Sequence, residues 1–487
     1  MSEFRTRFAP SPTGYMHIGN LRTALYAYLI AKGNNGKFLL RVEDTDQKRT
    51  IAEAFKVIFE SLEITGIEYD EGPGKNGDKD GGYGPYIQSE RKEIYDEHIS
   101  ILLEKDLAYR CFCTAEEIEE QRKDFTDSKG IVFRDKCRSL STEEVESKLS
   151  EGLPFVIRQR IPESGQTTIN DIVFGSITIE NNTLDEQVLM KSDGFPTYNF
   201  ANVVDDHLMK ISHVIRGYEY LSSVPKYNLL YQNFGWDVPQ YIHLPHIMRE
   251  DGKKLSKRNG DASFGDLLDA GYLTEAIINY IVMLGWNPGT DEEIFTMDEL
   301  IVKFSPERIN KSNAVFSIDK LNWINAQHIK KLSQEEFHSK ADKYYSDELR
   351  AKVDIVKISE IIQNRLEKFT DIPEMVKFFV KVESYSADAF FHKKMKSDTE
   401  SSYEYLQKIL PIFQNLLEWN NESIFNAMTE LIEKEGCKKG KVLWPVRIAF
   451  TGLKASPGGA SEVGELIGKE ESLKRLENAI EFLKGEI

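Results

Sequence analysis

R-F-A-P-S-P-T-G-Y-M-H-I-G-N-L-R-T-A-L, residues 7–25, decides how this chain folds. Residues 4–9 read as a short strand. Pro10, Pro12 and Gly14 break it, because two fixed φ angles and one permissive one cannot continue a strand. From Leu21 the apolar residues fall at Leu21, Ala24, Leu25, Tyr28 and Leu29, the spacing of one helix face. His17, Ile18, Gly19 and Asn20 therefore sit where a strand hands over to a helix N-terminus. Unpaired backbone N–H groups and the helix dipole favour an anion there, and a glycine lets a ligand approach the backbone. Strand, tight turn and helix make the first unit of a nucleotide-binding α/β sheet.

Working outward, 487 residues exceed a single core, so about two to five domains are expected. Apolar content of 40% and charged content of 29% are those of a soluble globular protein. The longest apolar candidate, residues 276–286, is too short to span a bilayer and reads as a buried helix. Residues 1–9 have no apolar core of a signal peptide, so a cytoplasmic protein without membrane contact is expected. Cys111, Cys113, Cys137 and Cys437 are too few and too unevenly placed for a disulfide framework. The net charge of −17 argues against general polyanion binding, since each phosphate contact needs a displaced counterion. It leaves room for a folded RNA bound along a local basic stripe.

Residues 37–42 give a second strand that runs into Glu43. Residues 50–53, T-I-A-E, fit a capping box ahead of a helix carrying Phe55, Ile58, Phe59 and Leu62. Glycine-rich residues 70–86 lack a G-K-[ST] opening a helix and read as a flexible surface loop. Residues 92–105 are helical, Ser141 to Glu144 start another helix, and residues 155–161 and 168–179 are β-rich. Residues 187–204 read as a hairpin turning at Asp193 and Gly194, and the sheet is expected to resume from Pro196 to Gly217. Ser222 to Pro225 opens a helix with proline in its first turn. Residues 241–248 form the next strand, turned by Asp251 and Gly252 into K-L-S-K-R, residues 254–258, and residues 264–286 are helical. Beyond Asn322 the pattern is helical to the end, with Leu473, Leu476, Ile480 and Leu483 on one face of the last helix.

The two stretches 7–25 and 254–258 together resemble the paired signatures of class I aminoacyl-tRNA synthetases, and A-P-S-P-T-G, residues 9–14, is similar to the glutamyl and glutaminyl members. D-E-G-P and G-P-Y-I-Q-S-E-R, flanking the glycine-rich loop, point the same way. The resemblance implies an α/β fold: a Rossmann-type parallel sheet, an inserted α+β domain holding the tRNA acceptor end, and an all-α anticodon-binding region. The corresponding boundaries are 1–91 and 197–235 for the two halves of the catalytic domain, 92–196 for the insertion, 236–325 for a stem-contact region, and 326–487 for the helical part. Glutaminyl relatives carry β-barrels at that end, so the helices favour a glutamyl enzyme.

The implied reaction is attack of the glutamate carboxylate on the α-phosphate of ATP, accompanied by Mg2+, then transfer to the 3′-terminal ribose of tRNA(Glu). Such a transition state needs donors and positive charge held in place. His17 is a suitable donor at the helix start, and Lys254 and Lys257, with Ser256 between them, can reach the departing phosphates. Gly19, Asn20, Ser256, Lys257 and Glu219 are expected around ATP; Asn20 stands where the class pattern has a second histidine. A side-chain carboxylate calls for the planar fork of a guanidinium. Arg7, Ser11, Glu43, Tyr198, Asn202 and Arg216 match family positions that hold glutamate, with Glu43 suited to the substrate ammonium. Tyr220 departs from the family pattern.

Asp205, Asp206 and His207 are read as structural, on the ground that neighbours along a strand point to opposite faces. Cys111, Cys113 and Cys137 look like the remains of a zinc knuckle, but Phe133 and Ser139 stand where a fourth ligand would come from, so no structural zinc is expected. Arg365 and Arg447 are the expected tRNA contacts in the helical region, with Trp444 and Phe450 assigned to its core. A monomer is expected. Charging of tRNA(Gln) as well, and a non-catalytic tRNA-binding relative, remain as alternatives; the presence of His17, Lys257 and Arg7 speaks against the second. The helical half separates the chain from the short enzymes that glutamylate an anticodon base and from small nucleotidylyltransferases.

Overall fold

The computed structural model describes residues 3–12, 16–46, 52–74, 77–124, 132–255 and 263–487. The chain forms two compact units, Met1–Leu268 with Thr274–Ile318, and Asp269–Leu273 with Asp319–Ile487.

In the first unit strand β1 (Arg5–Phe8) pairs in parallel with β2 (Lys37–Leu40), and helix α1 (Ile18–Gly33) connects them. The periodicity of α1 gives one apolar face, yet Ile18, Tyr26, Ala27, Ile30 and Ala31 are buried as well. The reason is a second layer. Besides both strands, α1 touches the helices Thr274–Met283 and Met297–Lys303, and the Tyr26 hydroxyl donates to the Val282 carbonyl.

The hairpin of β3 (Gln166–Asp171) and β4 (Gly175–Glu180) is antiparallel, and β3 joins a later strand in parallel at Asp171 opposite Tyr241. The rest of the inserted segment makes an antiparallel sheet of Ala108–Cys111, Val156–Gln159 and Val188–Met190. Strands β5 (His213–Gly217) and β6 (Gln240–Leu244) pair in parallel with Arg216 directly opposite His243. Ser212 sets β5 beside β1: its N–H donates to the Arg5 carbonyl at 2.9 Å and its hydroxyl oxygen accepts from the Arg5 N–H at 2.8 Å. Arg7, Glu43, Arg216 and Leu244 thus collect at the carboxyl ends of parallel strands, where α/β sheets bind ligands.

Two expectations are corrected. Residues 187–204 do not continue as a hairpin. Strand Val188–Met190 turns at Asp193 and Gly194, and helix α2 (Tyr198–Leu208) follows. Aromatic and β-branched residues there suggest a strand, but Phe200, Ala201, Val203 and Val204 are all fully buried in a helix, and packing overrides propensity. Residues 264–286 are two helices, because Gly271 has φ +85° and a Cβ on it would lie 2.7 Å from the Thr370 N–H nitrogen. The glycine-rich loop is anchored at its ends: Glu71 receives both Arg5 Nη groups at 2.8 Å, and Tyr86 is buried. The capping box at 50–53 includes residues outside the described set, while that of Ser141 and Glu144 is present.

The second unit is helical, as its pattern indicates. Trp444 and Phe450 are core residues, the Trp444 indole donating to the Ala389 carbonyl at 3.0 Å. The buried Arg475 donates to the Phe378, Phe379 and Phe450 carbonyls and so terminates two helices at once.

Candidate active site

At the carboxyl ends of β1, β5 and β6 lies a cleft of about 980 Å3. His17, Gly19 and Asn20 from the start of α1 line it, with Arg7, Ser11 and Glu43 from the β1 and β2 ends. Tyr198, Arg216 and Glu219 complete the near wall, and Lys254 enters from the opposite loop. Two stretches more than two hundred residues apart in sequence therefore face one cavity. Ser256 and Lys257 lie outside the described residues.

His17 is the N-cap of α1, and its Nδ1 accepts the Gly19 N–H at 3.1 Å. That bond makes Nε2 the protonated nitrogen of a neutral ring, hence a donor. Gly19 permits the close approach, since a Cβ there would sit 3.3 Å from His17 Nδ1. Across the cleft, Glu219 is 3.8 Å from Lys254 and 3.6 Å from His246, so one carboxylate ties the end of β5 to the basic loop. The loop is a hairpin, its Leu255 N–H donating to the Ile247 carbonyl and its Lys253 N–H to Asp251 in the turn.

Beneath the cleft the charges are buried and paired. Arg7 donates from Nε and Nη2 to the two oxygens of Asp206 at 2.9 and 3.0 Å, and from Nη1 to the Ile215 carbonyl at 3.2 Å. Most of its fork is therefore engaged inside the protein, although Arg7 also lines the cleft. Arg41, fully buried, donates to Asp206 at 2.7 Å and to Glu43 at 3.0 Å. Asp205, the next residue, takes Arg91, Gln88 and Tyr95 at 2.8, 2.9 and 2.9 Å. Asp205 and Asp206 do not sit on a strand: they lie in a helix, where Asp205 pairs with Arg91, Asp206 with Arg7, and both with Arg41. Burial alone would raise the Asp206 carboxyl, but Arg7 and Arg41 outweigh it and hold it below the usual range. Burial wins at Glu43, pushing it up to about 6 against the pull of Arg41. Asn202 is buried on α2 and donates back to the Tyr198 carbonyl at 2.6 Å.

Arg216 differs from its neighbours. Its Nε donates to His243 Nε2 at 3.2 Å, while the buried Nη1 and Nη2 are paired with no carboxylate or carbonyl among the described residues and have the Tyr198 phenol beside them. The rings of Tyr220, Tyr227 and Tyr241 lie 5.6, 4.8 and 5.4 Å from its guanidinium carbon. Tyr220, which departs from the family pattern, is thus part of the cleft. Sequence reasoning missed Arg41, Asp171 and His243. The available signal was an ionisable residue inside an apolar run, R in F-L-L-R-V and H in Y-I-H-L, which burial allows only with a partner.

Away from the cleft, the Sγ atoms of Cys111, Cys113 and Cys137 and a carboxylate oxygen of Asp135 all lie within 4.8 Å of one another. The fourth donor missing at 133 and 139 is thus Asp135. Its oxygens already accept from the Tyr109 hydroxyl at 2.6 Å and the Cys137 N–H at 3.0 Å, and ligation would compete with those bonds. In the second unit Arg365 donates to the Ser456 carbonyl at 2.6 Å and Arg447 to the Ser456 hydroxyl at 3.0 Å, so the two expected RNA contacts converge. Among the described residues no helix is long and apolar enough to cross a membrane.

Residues 3–323 match the catalytic domain of tRNA synthetases class I (E and Q), and residues 334–480 match an anticodon binding domain. A glutamate–tRNA ligase of Clostridium tetani is 55% identical over 488 aligned positions, covering 100% of this chain and 99% of the relative. The Clostridium kluyveri glutamate–tRNA ligase is 53% identical with the same coverage. Among solved structures, a glutamate tRNA ligase from Elizabethkingia meningosepticum, in complex with its amino acid, is 38% identical with a TM-score of 0.86, covering 99% of this chain and 100% of that one. With His17 and Lys254 lining one cleft and these relatives spanning its whole length, the chain belongs to the glutamyl and glutaminyl class I tRNA synthetases.

Proposed function

We infer that this enzyme is a glutamate–tRNA ligase, which activates L-glutamate with ATP and transfers it to the 3′-terminal adenosine of tRNA(Glu). The observation that carries the amino-acid assignment is the buried Arg216, which has an imidazole and phenols around it but no carboxylate partner among the described residues, in a cleft that it lines. An unpaired buried cation is costly, and a substrate carboxylate relieves it with paired, charge-assisted bonds. A carboxamide offers no charge.

An oxygen of the glutamate α-carboxylate forms the new bond to the α-phosphorus, and the bond to pyrophosphate breaks. His17 Nε2–H is the donor for phosphate oxygens, at the positive end of α1. Lys254, with Lys257 of the same run, is assigned to the departing phosphates, which come with Mg2+. Asn20 and Glu219 are assigned to the nucleoside end, with Gly19 and Ser256. Glu43 takes the substrate ammonium, Tyr198 and Ser11 line the same end, and Arg7 acts from beneath through its pairing with Asp206. In the second step a ribose hydroxyl attacks the carbonyl carbon and AMP departs.

Aminoacylation and ATP–pyrophosphate exchange test this directly, with glutamate and glutamine offered alongside tRNA(Glu) and tRNA(Gln). Charging of tRNA(Glu) with glutamate is the expected result, and charging with glutamine or exchange with neither amino acid overturns the assignment. Glutamate on tRNA(Gln) would mark the broader specificity.

A further inference from the structure

Around the cleft the buried arginines Arg5, Arg7, Arg41 and Arg91 are each matched to a carboxylate, those of Glu71, Asp206 and Asp205, and Arg22 donates to the Leu284 and Pro245 carbonyls. Arg216 is matched to an imidazole instead. His243 is itself completely buried, and a single oxygen of Asp171 accepts both its backbone N–H at 3.0 Å and its Nδ1 at 2.7 Å. A carboxylate only accepts, so Nδ1 carries the proton. Nε2 then keeps its lone pair, which the Arg216 Nε–H requires at 3.2 Å. Protonating Nε2 would set two donors against each other beside a guanidinium. Burial, together with that neighbouring charge, outweighs Asp171 and pushes the His243 pKa down, which agrees with a neutral ring.

We propose that Asp171 and His243 are positioning residues that fix Arg216 through a neutral acceptor, leaving its full charge for the side-chain carboxylate and so setting discrimination between glutamate and glutamine. The proposal rests on the glutamate reading above. Its logic is electrostatic. A carboxylate at position 243 would orient the guanidinium equally well but neutralise it, and the pocket would lose its preference for an acid over an amide. Asp171 stays outside that balance, one residue removed, while its other oxygen accepts the Val173 and Phe174 N–H groups at 2.9 and 2.8 Å. Register supports the arrangement, since Arg216 and His243 are direct partners on parallel strands and present their side chains to the same face. The phenols nearby hold no charge, and the Tyr227 and Tyr241 hydroxyls donate to Asn199 and Asn228.

The test compares His243→Gln, His243→Glu and His243→Leu in the full chain. Gln and Glu both offer an acceptor oxygen, the first neutral and the second charged. In His243→Leu the glutamate KM should rise about tenfold or more with the ATP KM within about twofold, a split that general unfolding would not give. His243→Gln should recover most of that loss. His243→Glu should lose about a hundredfold in kcat/KM for glutamate and narrow the ratio to glutamine. A second readout needs no substrate: the Arg216 Nε–H nitrogen resonance, assigned with Arg216→Lys, should be protected from exchange in the parent and in His243→Gln and lost in His243→Leu. Unchanged KM values and selectivity in all three variants, or an Nε–H signal indifferent to His243, would overturn the proposal. A protected Nε–H in an enzyme that fails to activate glutamate would instead sink the glutamate reading and leave the positioning pair standing.

Discussion

Glu43 shows how much of the chemistry a single residue type can announce and how much it conceals. A carboxylate at the end of a strand suits an ammonium, and that much was legible in the sequence. Its resting state was not, because burial raises its pKa from 4.5 to about 6 and only the fold shows that burial. The consequences have a definite sign. Between those two values the folded protein holds the proton more tightly than the unfolded chain, so ionising Glu43 costs stability as pH rises through the window. The ionised form is the one that binds ammonium. Glutamate affinity should therefore strengthen as pH rises from about 5 to 7, with a midpoint near 6, and calorimetric titration of the free enzyme with glutamate measures it. In Glu43→Gln that step should vanish and affinity should be low throughout. A pH profile that survives the substitution would remove Glu43 from the ammonium site. Arg41 is the complement: it stands in the second strand as an oddity, and its partner Asp206 could be named only once α2 was seen to be a helix.

At the scale of elements, α1 does two jobs with one side chain. His17 closes the first turn through Nδ1 and offers Nε2 to the cleft, so cap and donor are separable by substitution. His17→Asn retains a capping oxygen and loses the donor; stability should change by less than about 0.5 kcal/mol while kcat for activation falls about a hundred- to a thousandfold. His17→Ala loses both, and should add about 1 kcal/mol of destabilisation without a further drop in rate. Thermal melting beside pyrophosphate exchange reads the two effects independently, and equal stability of the two variants would sink the capping role. The strand, turn and helix order was readable because proline, glycine and a 3.6-residue period are local signals. Helix α2 was misread for the converse reason: its local preference points to a strand, and only the burial of Phe200, Ala201, Val203 and Val204 against their surroundings decides otherwise. That one misassignment hid the role of Asp206.

For the whole molecule the net charge of −17 is the constraint against which RNA binding has to be explained. The helical character of residues beyond 322 was legible from periodicity, but which of its cations stand together was not, since Arg365 and Arg447 are 82 positions apart in the numbering. Both converge on Ser456, and neither pairs with a carboxylate among the described residues. Burial, and after it the closeness of Arg365, pushes the Arg447 pKa down. An approaching phosphate would relieve both at once. If the pair contacts single-stranded anticodon nucleotides, the double variant Arg365→Gln/Arg447→Gln should raise the tRNA KM and flatten its dependence on salt. For two phosphate contacts on a single strand, the slope of log K against log salt should fall by about 1.4. Glutamate and ATP binding should not move, because both ligands are assigned to the other unit. The measurement is tRNA binding across about 50 to 200 mM salt, over which a few lost contacts change affinity by orders of magnitude. A weaker complex with an unchanged slope would mean that the arginines hold the loop at Ser456 in shape and that the RNA finds its positive charge elsewhere.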